Sequence, residues 1–170
     1  RTAVHEYGGG AWWVRGHSLW FANWEDQRLY RLTGRAMPVP VVPEPDAPRG
    51  DRWADGEMDA SGRWIVVVRE HHAGPSAAEV VNELVVVDGN GELEPRALVS
   101  GPDFVSNPRL SPAGARLCWL QWSHPDMPWD GTELMVASVE WTATGPQLDS
   151  PVVVAGRPHR APGVTGDGES

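Results

Sequence analysis

Hydrophobic and polar residues alternate along most of this chain in short runs, which glycine and proline separate. The run LCWLQW at residues 117–122 ends at His124-Pro125, and a second run begins at residue 132. Two prolines and a glycine lie between these runs, at Pro125, Pro128 and Gly131. Proline fixes φ and removes a backbone donor, so this spacing ends a strand and defines a loop. The stretch 117–134 therefore predicts two strands and a rigid connection.

The same alternation predicts three units of four short strands each. The first unit has strands at residues 10–14, 18–23, 28–32 and 38–42, and the proline-rich connection 43–52 follows it. The second has strands at residues 54–59, 63–69, 82–88 and 96–100, with a loop predicted at residues 70–81. The third has strands at residues 104–110, 116–122, 132–139 and 147–154.

A glycine turn recurs at the start of these units. Gly16, Gly62 and Gly114 each precede an apolar strand, at spacings of 46 and 52 residues. A repeat of about 50 residues with four short strands is typical of propeller blades. A β-sandwich also contains many short strands, but it does not explain a turn that recurs at this period. The predicted fold class is therefore all-β, a partial β-propeller of about three four-stranded antiparallel blades.

The repeat also predicts the domain limits. The partial propeller is expected at residues 1–155, with blades at about residues 4–42, 52–100 and 104–154. Residues 156–170 lack alternation and are predicted to be a disordered or truncated tail. Propellers typically close with four to eight blades, so we expect further blades outside this chain.

Composition supports the all-β class and narrows the function. Glycine and proline number 19 and 16, tryptophan numbers ten, and lysine is absent. The net charge of −9 and the scattered arginines predict no nucleic-acid partner, because no basic patch could neutralise phosphates. No apolar run reaches 18 residues, so no membrane association is predicted. The single Cys118 fits a cytoplasmic protein and a buried, inert thiol.

Two polar clusters resemble metal sites only superficially. His71 and His72 follow Glu70, but adjacent residues of an extended chain point apart, so an exposed loop pair is the preferred interpretation. Residues 88–92 read DGNGE, which lacks the ligand order of a calcium loop and contains the Asn-Gly of a hairpin turn. No metal and no cofactor are therefore predicted.

The turn SPAGARL at residues 111–117 resembles the repeated turn of WD40-like blades, and DASGRW at residues 59–64 is a looser copy. Such blades occur in TolB-type proteins and in the propellers of prolyl-oligopeptidase-family (S9) serine peptidases. The longer stretches HEYGGGAW (5–12), FANWEDQRLY (21–30), GPDFVSNP (101–108) and 118–134 resemble the propeller of acylaminoacyl-peptidase or dipeptidyl-aminopeptidase-like members. The resemblance covers about residues 1–155.

This resemblance implies a function in proteolysis. In the family, an α/β-hydrolase domain of the same chain carries a serine nucleophile on a G-x-S-x-G turn, and the propeller gates peptide substrates. This sequence contains no G-x-S-x-G, so no catalytic residue is predicted in it. The expected partners are the hydrolase domain of the parent chain and peptide substrates.

The resemblance also implies candidate substrate-facing residues near the start of the chain. Some family propellers hold a substrate's free amino terminus with acidic side chains, through charge-assisted hydrogen bonds. Glu6 and Glu70 have the required chemistry, and Tyr7 lies beside Glu6. The competing interpretation for each of them is a structural or solvated side chain.

The loop after residue 122 supplies the other candidates, which could line the channel mouth or face the hydrolase domain: His124, Asp126, Trp129 and Asp130. A rigid connection with a half-buried tryptophan is the alternative for this loop. Two other functions remain open for the whole chain. One is a non-catalytic, TolB-like protein-interaction propeller, and the other is a stand-alone sandwich module of the lectin type.

Overall fold

Three four-stranded antiparallel sheets make up nearly all of the computed structural model, which describes residues 1–74, 76 and 79–156. The first sheet contains β1 (Trp12–Arg15), β2 (Ser18–Ala22), β3 (Leu29–Thr33) and β4 (Val39–Pro40). The second contains β5 (Asp51–Met58), β6 (Trp64–His72), β7 (Val80–Asp88) and β8 (Arg96–Val99). The third contains β9 (Phe104–Leu110), β10 (Arg116–Trp122), β11 (Glu133–Thr142) and β12 (Gly145–Gly156).

Each strand pairs with the next one along the chain, so every sheet is a simple meander. A single 3-10 turn at Val4–Glu6 precedes the first sheet. This arrangement is the one expected of propeller blades, and it confirms the predicted fold class of a partial β-propeller with three four-stranded blades. Among the described residues, no helix is long and apolar enough to cross a membrane.

The second sheet lies between the other two, and both of its faces are buried. Ile65 and Val67 of β6 pack in one core with residues of the first sheet such as Trp20. Val66 and Val68 point the other way and pack in a second core with residues of the third sheet such as Trp119. Burial on both faces explains why β6 is a continuous apolar run instead of an alternating one.

The outer faces of the first and third sheets remain open in this chain. Trp12 and Val14 of β1 are 63% and 60% exposed, although both are large and apolar. On β10, Leu117 and Trp119 are buried against the second sheet, so Cys118 between them faces the open side. Cys118 is therefore only half-buried, and the expectation of a buried thiol was wrong.

The predicted loop at residues 70–81 was too long, because residues 70–72 and 80–81 belong to strands. The strand β6 continues to His72, which pairs with Val80 at the start of β7. The polar residues at this point suggested a loop, but the ladder continues because His71 and His72 pair with the strand-forming Val81 and Val80. His71 and His72 are thus strand residues. Residues 75, 77 and 78 of the predicted loop lie outside the described residues.

The predicted domain limits stay a prediction. Gly156, which was assigned to the tail, is the last residue of β12. The remainder of the predicted tail, residues 157–170, lies outside the described residues.

Two of the three glycine turns that carried the repeat, at Gly62 and Gly114, share one construction. In each, a glycine adopts a left-handed φ, 76° at Gly62 and 69° at Gly114, where a side chain would be strained. The amide of that glycine donates to the carbonyl three residues earlier, at Asp59 and Ser111 respectively. The side chains of Asp59 and Ser111 then accept further backbone amides of the turn.

Candidate functional site

The candidate residues lie at one end of the three sheets, here called the loop end. It carries the segment before β1, the connections 23–28, 43–50, 100–103 and 123–132, and the described residues 73, 74, 76 and 79. Antiparallel pairing places these connections together within each sheet. Contacts between the sheets align the ends, because Arg52 at the start of β5 contacts Glu6 and Asn82 near the start of β7 contacts Asp103.

Residues 2–6, here called the N-terminal strap, cross the loop end. The buried side chain of Gln27 holds its beginning, because its Oε1 accepts hydrogen bonds from the Ala3 amide (2.8 Å) and the Thr2 hydroxyl (3.4 Å). Val4 is 2% exposed and belongs to the core between the second and third sheets. The strap is therefore fixed to the first sheet and inserted between the other two.

Arg52 joins the strap to the second sheet. Its Nη1 donates to the Ala3 carbonyl at 3.1 Å, to Glu6 Oε1 at 2.6 Å and to Glu70 Oε1 at 2.9 Å. The Glu6 side chain is 79% exposed. The hydrogen bond from Arg52 and its positive charge lower the pKa of Glu6 below the usual range. Glu6 is thus an ionised carboxylate that is held in place and open to solvent.

Glu70 has a different environment, although both glutamates were candidates. It is 4% exposed, and its Oε2 accepts the His5 backbone amide at 2.5 Å. Its Oε1 contacts both Arg52 and His72 Nε2, the latter at 2.7 Å. Both oxygens are engaged inside the protein. This geometry favours a structural role for Glu70, and it leaves Glu6 as the more accessible carboxylate.

An aromatic cluster fills the seam between the second and third sheets beside the strap. The Phe104 ring stacks on Trp122 with centroids 5.3 Å apart, and His124 meets the edge of Phe104 at 5.2 Å. His5 packs edge-on against Phe104 and Trp122 at 5.4 and 5.7 Å. Its Nε2 lies 3.1 Å from Asn82 Oδ1. The Phe104 ring thus links His124 to His5, which precedes Glu6 in the strap.

Burial lowers the pKa of His5, and the Glu70 carboxylate and the Asn82 hydrogen bond offset part of that shift. The neutral imidazole is therefore favoured in the folded chain. We expect His5 to contribute stability that is fully present above its unfolded pKa of about 6.5 and is lost as the pH falls towards its folded value. His5→Asn keeps a side chain that tolerates the left-handed φ of 53° at this position.

This variant should have a flatter pH dependence of the unfolding free energy between about pH 8 and pH 5 than the parent chain. Urea unfolding at several pH values measures it. His17→Asn is the matched control, because His17 lies in a turn at the opposite end of the first sheet. Equal slopes for the parent chain and His5→Asn would contradict the assignment.

The remaining candidates lie at the same end with different exposures. Tyr7 and Trp129 are 85% and 73% exposed, and Asp130 is also exposed. Asp126 is buried at 6% exposure and lines a recess of about 320 Å³ together with His124. A second recess, of about 390 Å³, lies between the connections 23–28 and 43–50 and is lined by charges of both signs. In the described residues, no group of three or more His, Cys, Asp or Glu side chains is placed to hold a metal ion.

Sequence reasoning missed the residues that connect the candidates. His5 and Phe104 lie within stretches that carried the family resemblance, yet neither was a candidate. Arg52 was assigned to the end of a flexible connection, although β5 begins at Asp51. His5 and Arg52 have partners 77 and 46 residues away, at Asn82 and Glu6, which local spacing does not indicate.

Comparison with known proteins finds solved structures that share this fold. The sequence matches no family model and no curated protein. Among solved structures, a Mycobacterium tuberculosis puromycin-hydrolyzing peptidase is 37% identical over 92% of this chain, with a TM-score of 0.82. A puromycin hydrolase, and a mutant of it complexed with PGG, are each 32% identical over 94% of this chain, also with a TM-score of 0.82.

The predicted resemblance to the propeller of an S9 peptidase is confirmed. The chain spans only about a quarter of these peptidases, 25% of one and 26% of the other. It is similar to a propeller portion of such enzymes. The candidate residues lie together at the loop end of this portion, beside the strap.

Proposed function

We propose that this chain is a non-catalytic propeller portion of an S9-type serine peptidase, which gates and filters peptide substrates for a hydrolase domain elsewhere in the parent protein. The observation that carries the proposal is the 37% identity over 92% of the chain to a puromycin-hydrolyzing peptidase of which it spans a quarter. The parent reaction is hydrolysis of peptide bonds, or of similar amide bonds, through an acyl-enzyme on a serine in that domain.

The loop end is the proposed substrate-facing surface, with Glu6 as its principal polar contact. Glu6 is ionised, exposed and fixed by Arg52, so it suits a charge-assisted hydrogen bond to the free amino terminus of a peptide. The exposed rings of Tyr7 and Trp129 supply apolar contact area at the same end. The buried Glu70 holds the strap through the His5 amide, and it affects substrates only by fixing the position of the strap.

Labelling with a fluorophosphonate that reacts with activated serines tests this division of roles. We expect no labelling of this chain alone and rapid labelling of the parent protein, because the nucleophile lies outside the chain. A dipeptide with a free amino terminus should slow labelling of the parent protein. Glu6→Gln should weaken that protection about tenfold, since it removes the anionic partner of the ammonium group.

The matched control is Glu25→Gln, an exposed glutamate at the same end in the connection between β2 and β3. It should leave the protection unchanged. Labelling of the 170-residue chain itself would overturn the non-catalytic role, and equal protection in Glu6→Gln would overturn the role of Glu6. A parent protein that consists of blades without a labelled serine would favour the TolB-like interaction propeller.

A further inference from the structure

A recess of about 320 Å³ opens at the loop end of the third sheet. Its volume is at the lower end of the range of small-ligand pockets. The residues that give it its chemistry come from the connection before β9, from β10 and the loop after it, and from the start of β11: Pro102, Gln121, Trp122, His124, Asp126 and Glu133.

Side-chain hydrogen bonds fix the polar groups of the recess. The buried Trp119 donates its indole N–H to Gln121 Oε1 at 3.0 Å. This bond orients the amide, whose Nε2 donates to Glu133 Oε2 at 3.0 Å. A carboxylate accepts up to about four hydrogen bonds, so Glu133 has capacity for a ligand after accepting this one. The relay fixes the position of that carboxylate without neutralising its charge.

Two carboxylates and one histidine, His124, are the ionisable groups of the recess. Asp126 and Glu133 line it, and neither lysine nor arginine is among its lining residues. A concave surface concentrates the field of such carboxylates. Trp122 also lines the recess, and stacking on Phe104 holds its ring in place. Anionic acceptors beside an aromatic wall suit a guanidinium group, which is planar, permanently charged and able to contact aromatic rings.

We propose that this recess binds the arginine side chain of a peptide, with Glu133 as its anionic partner and Trp122 as its apolar wall. Glu6 does not line this recess. The recess therefore adds a second element to peptide recognition, a preference for a cationic residue. That the peptide is a substrate rests on the proposed function, whereas binding of the arginine side chain does not.

The experiment is a chemical-shift titration of the isotope-labelled chain with N-acetyl-arginine amide. The expected dissociation constant is about 1 mM, as for a weak ligand of this size. The resonances of the Gln121 side-chain amide and the Trp122 indole should shift, which locates the binding. N-acetyl-citrulline amide has a similar shape without the charge and should bind about tenfold more weakly. Added salt should weaken the arginine complex and leave the citrulline complex unchanged.

Glu133→Gln is the informative variant, because its amide oxygen still accepts the hydrogen bond from Gln121. It should lower the affinity for N-acetyl-arginine amide about tenfold. Glu140→Gln is the matched control, since Glu140 is an exposed residue of the same strand that lies towards the opposite end. It should bind the probe as the parent chain does.

Equal affinity for the arginine and citrulline probes, or shifts that appear at other residues, would overturn the proposal. If Glu133→Gln does not fold, the comparison of the two probes and the salt dependence in the parent chain decide the question alone. If the arginine probe does not bind, the fluorophosphonate labelling of the parent protein still tests the proposed function. If that labelling fails, the titration still tests arginine binding to this recess. The two proposals can therefore be contradicted separately.

Discussion

Trp119→Ala should lower the free energy of unfolding by about 3–5 kcal/mol, the range for truncation of a large aromatic residue in a core. Trp119 is 1% exposed and packs in the core between the second and third sheets. The substitution also leaves Gln121 Oε1 without its indole donor. Domains are usually stable by only about 5–15 kcal/mol, so this loss removes a large part of the total. Urea unfolding followed by circular dichroism measures it.

Trp129→Ala is the control for this substitution. Trp129 is the same residue type in the loop that follows β10, but it is 73% exposed. Its removal should change the unfolding free energy by no more than about 0.5 kcal/mol. Similar losses for the two variants would mean that the third sheet does not pack on the second as described.

Asp59→Ala should have the next largest effect, a loss of about 3 kcal/mol in the free energy of unfolding. Asp59 is 6% exposed, and its carboxylate accepts the backbone amides of Ser61 (3.0 Å), Arg63 (3.0 Å) and Trp64 (2.8 Å). Hydrogen bonds to a charged group are worth about 1.5–3 kcal/mol each, and solvent reaches part of this turn after truncation. Thermal and urea unfolding both report the loss.

The corresponding turn of the third sheet supplies the comparison. Ser111 occupies the equivalent place, and its hydroxyl accepts the Arg116 amide at 3.1 Å. Ser111→Ala removes one neutral hydrogen bond at a partly exposed site, so it should cost about 0.5–1.5 kcal/mol. A cost for Ser111→Ala equal to that for Asp59→Ala would show that the carboxylate is not what stabilises the turn.

The fold could be predicted from the sequence because turn glycines and apolar runs are recognisable within a few consecutive residues. Gly62 and Gly114 recur at the repeat period since each turn requires a left-handed residue before an apolar strand. The run at residues 64–68 indicated a strand, and burial on both faces accounts for its lack of alternation. The extension of β6 to His72 could not be predicted in the same way. It depends on pairing with Val80 across the sheet, which residue type alone does not specify.

The candidate site followed from the sequence only in part. The sequence predicted the same role for Glu6 and Glu70, because both are glutamates and residue type cannot distinguish an exposed carboxylate from a buried one. The structure separates them by exposure and by partners: Glu70 is enclosed by Arg52, His72 and the His5 amide. The aromatic cluster depends on His5 meeting Phe104, and these residues are brought together only by packing of the third sheet on the second.

The N-terminal strap has a consequence for the order in which the chain acquires its structure. Residues 2–6 are synthesised before all of their partners, which follow in the order Gln27, then Arg52 and Glu70, and finally Phe104 and Trp122. Contacts so distant in sequence close large loops and form late. The strap therefore completes its docking only after residue 122 has been synthesised, and until then Val4 and the seam it fills are exposed to solvent.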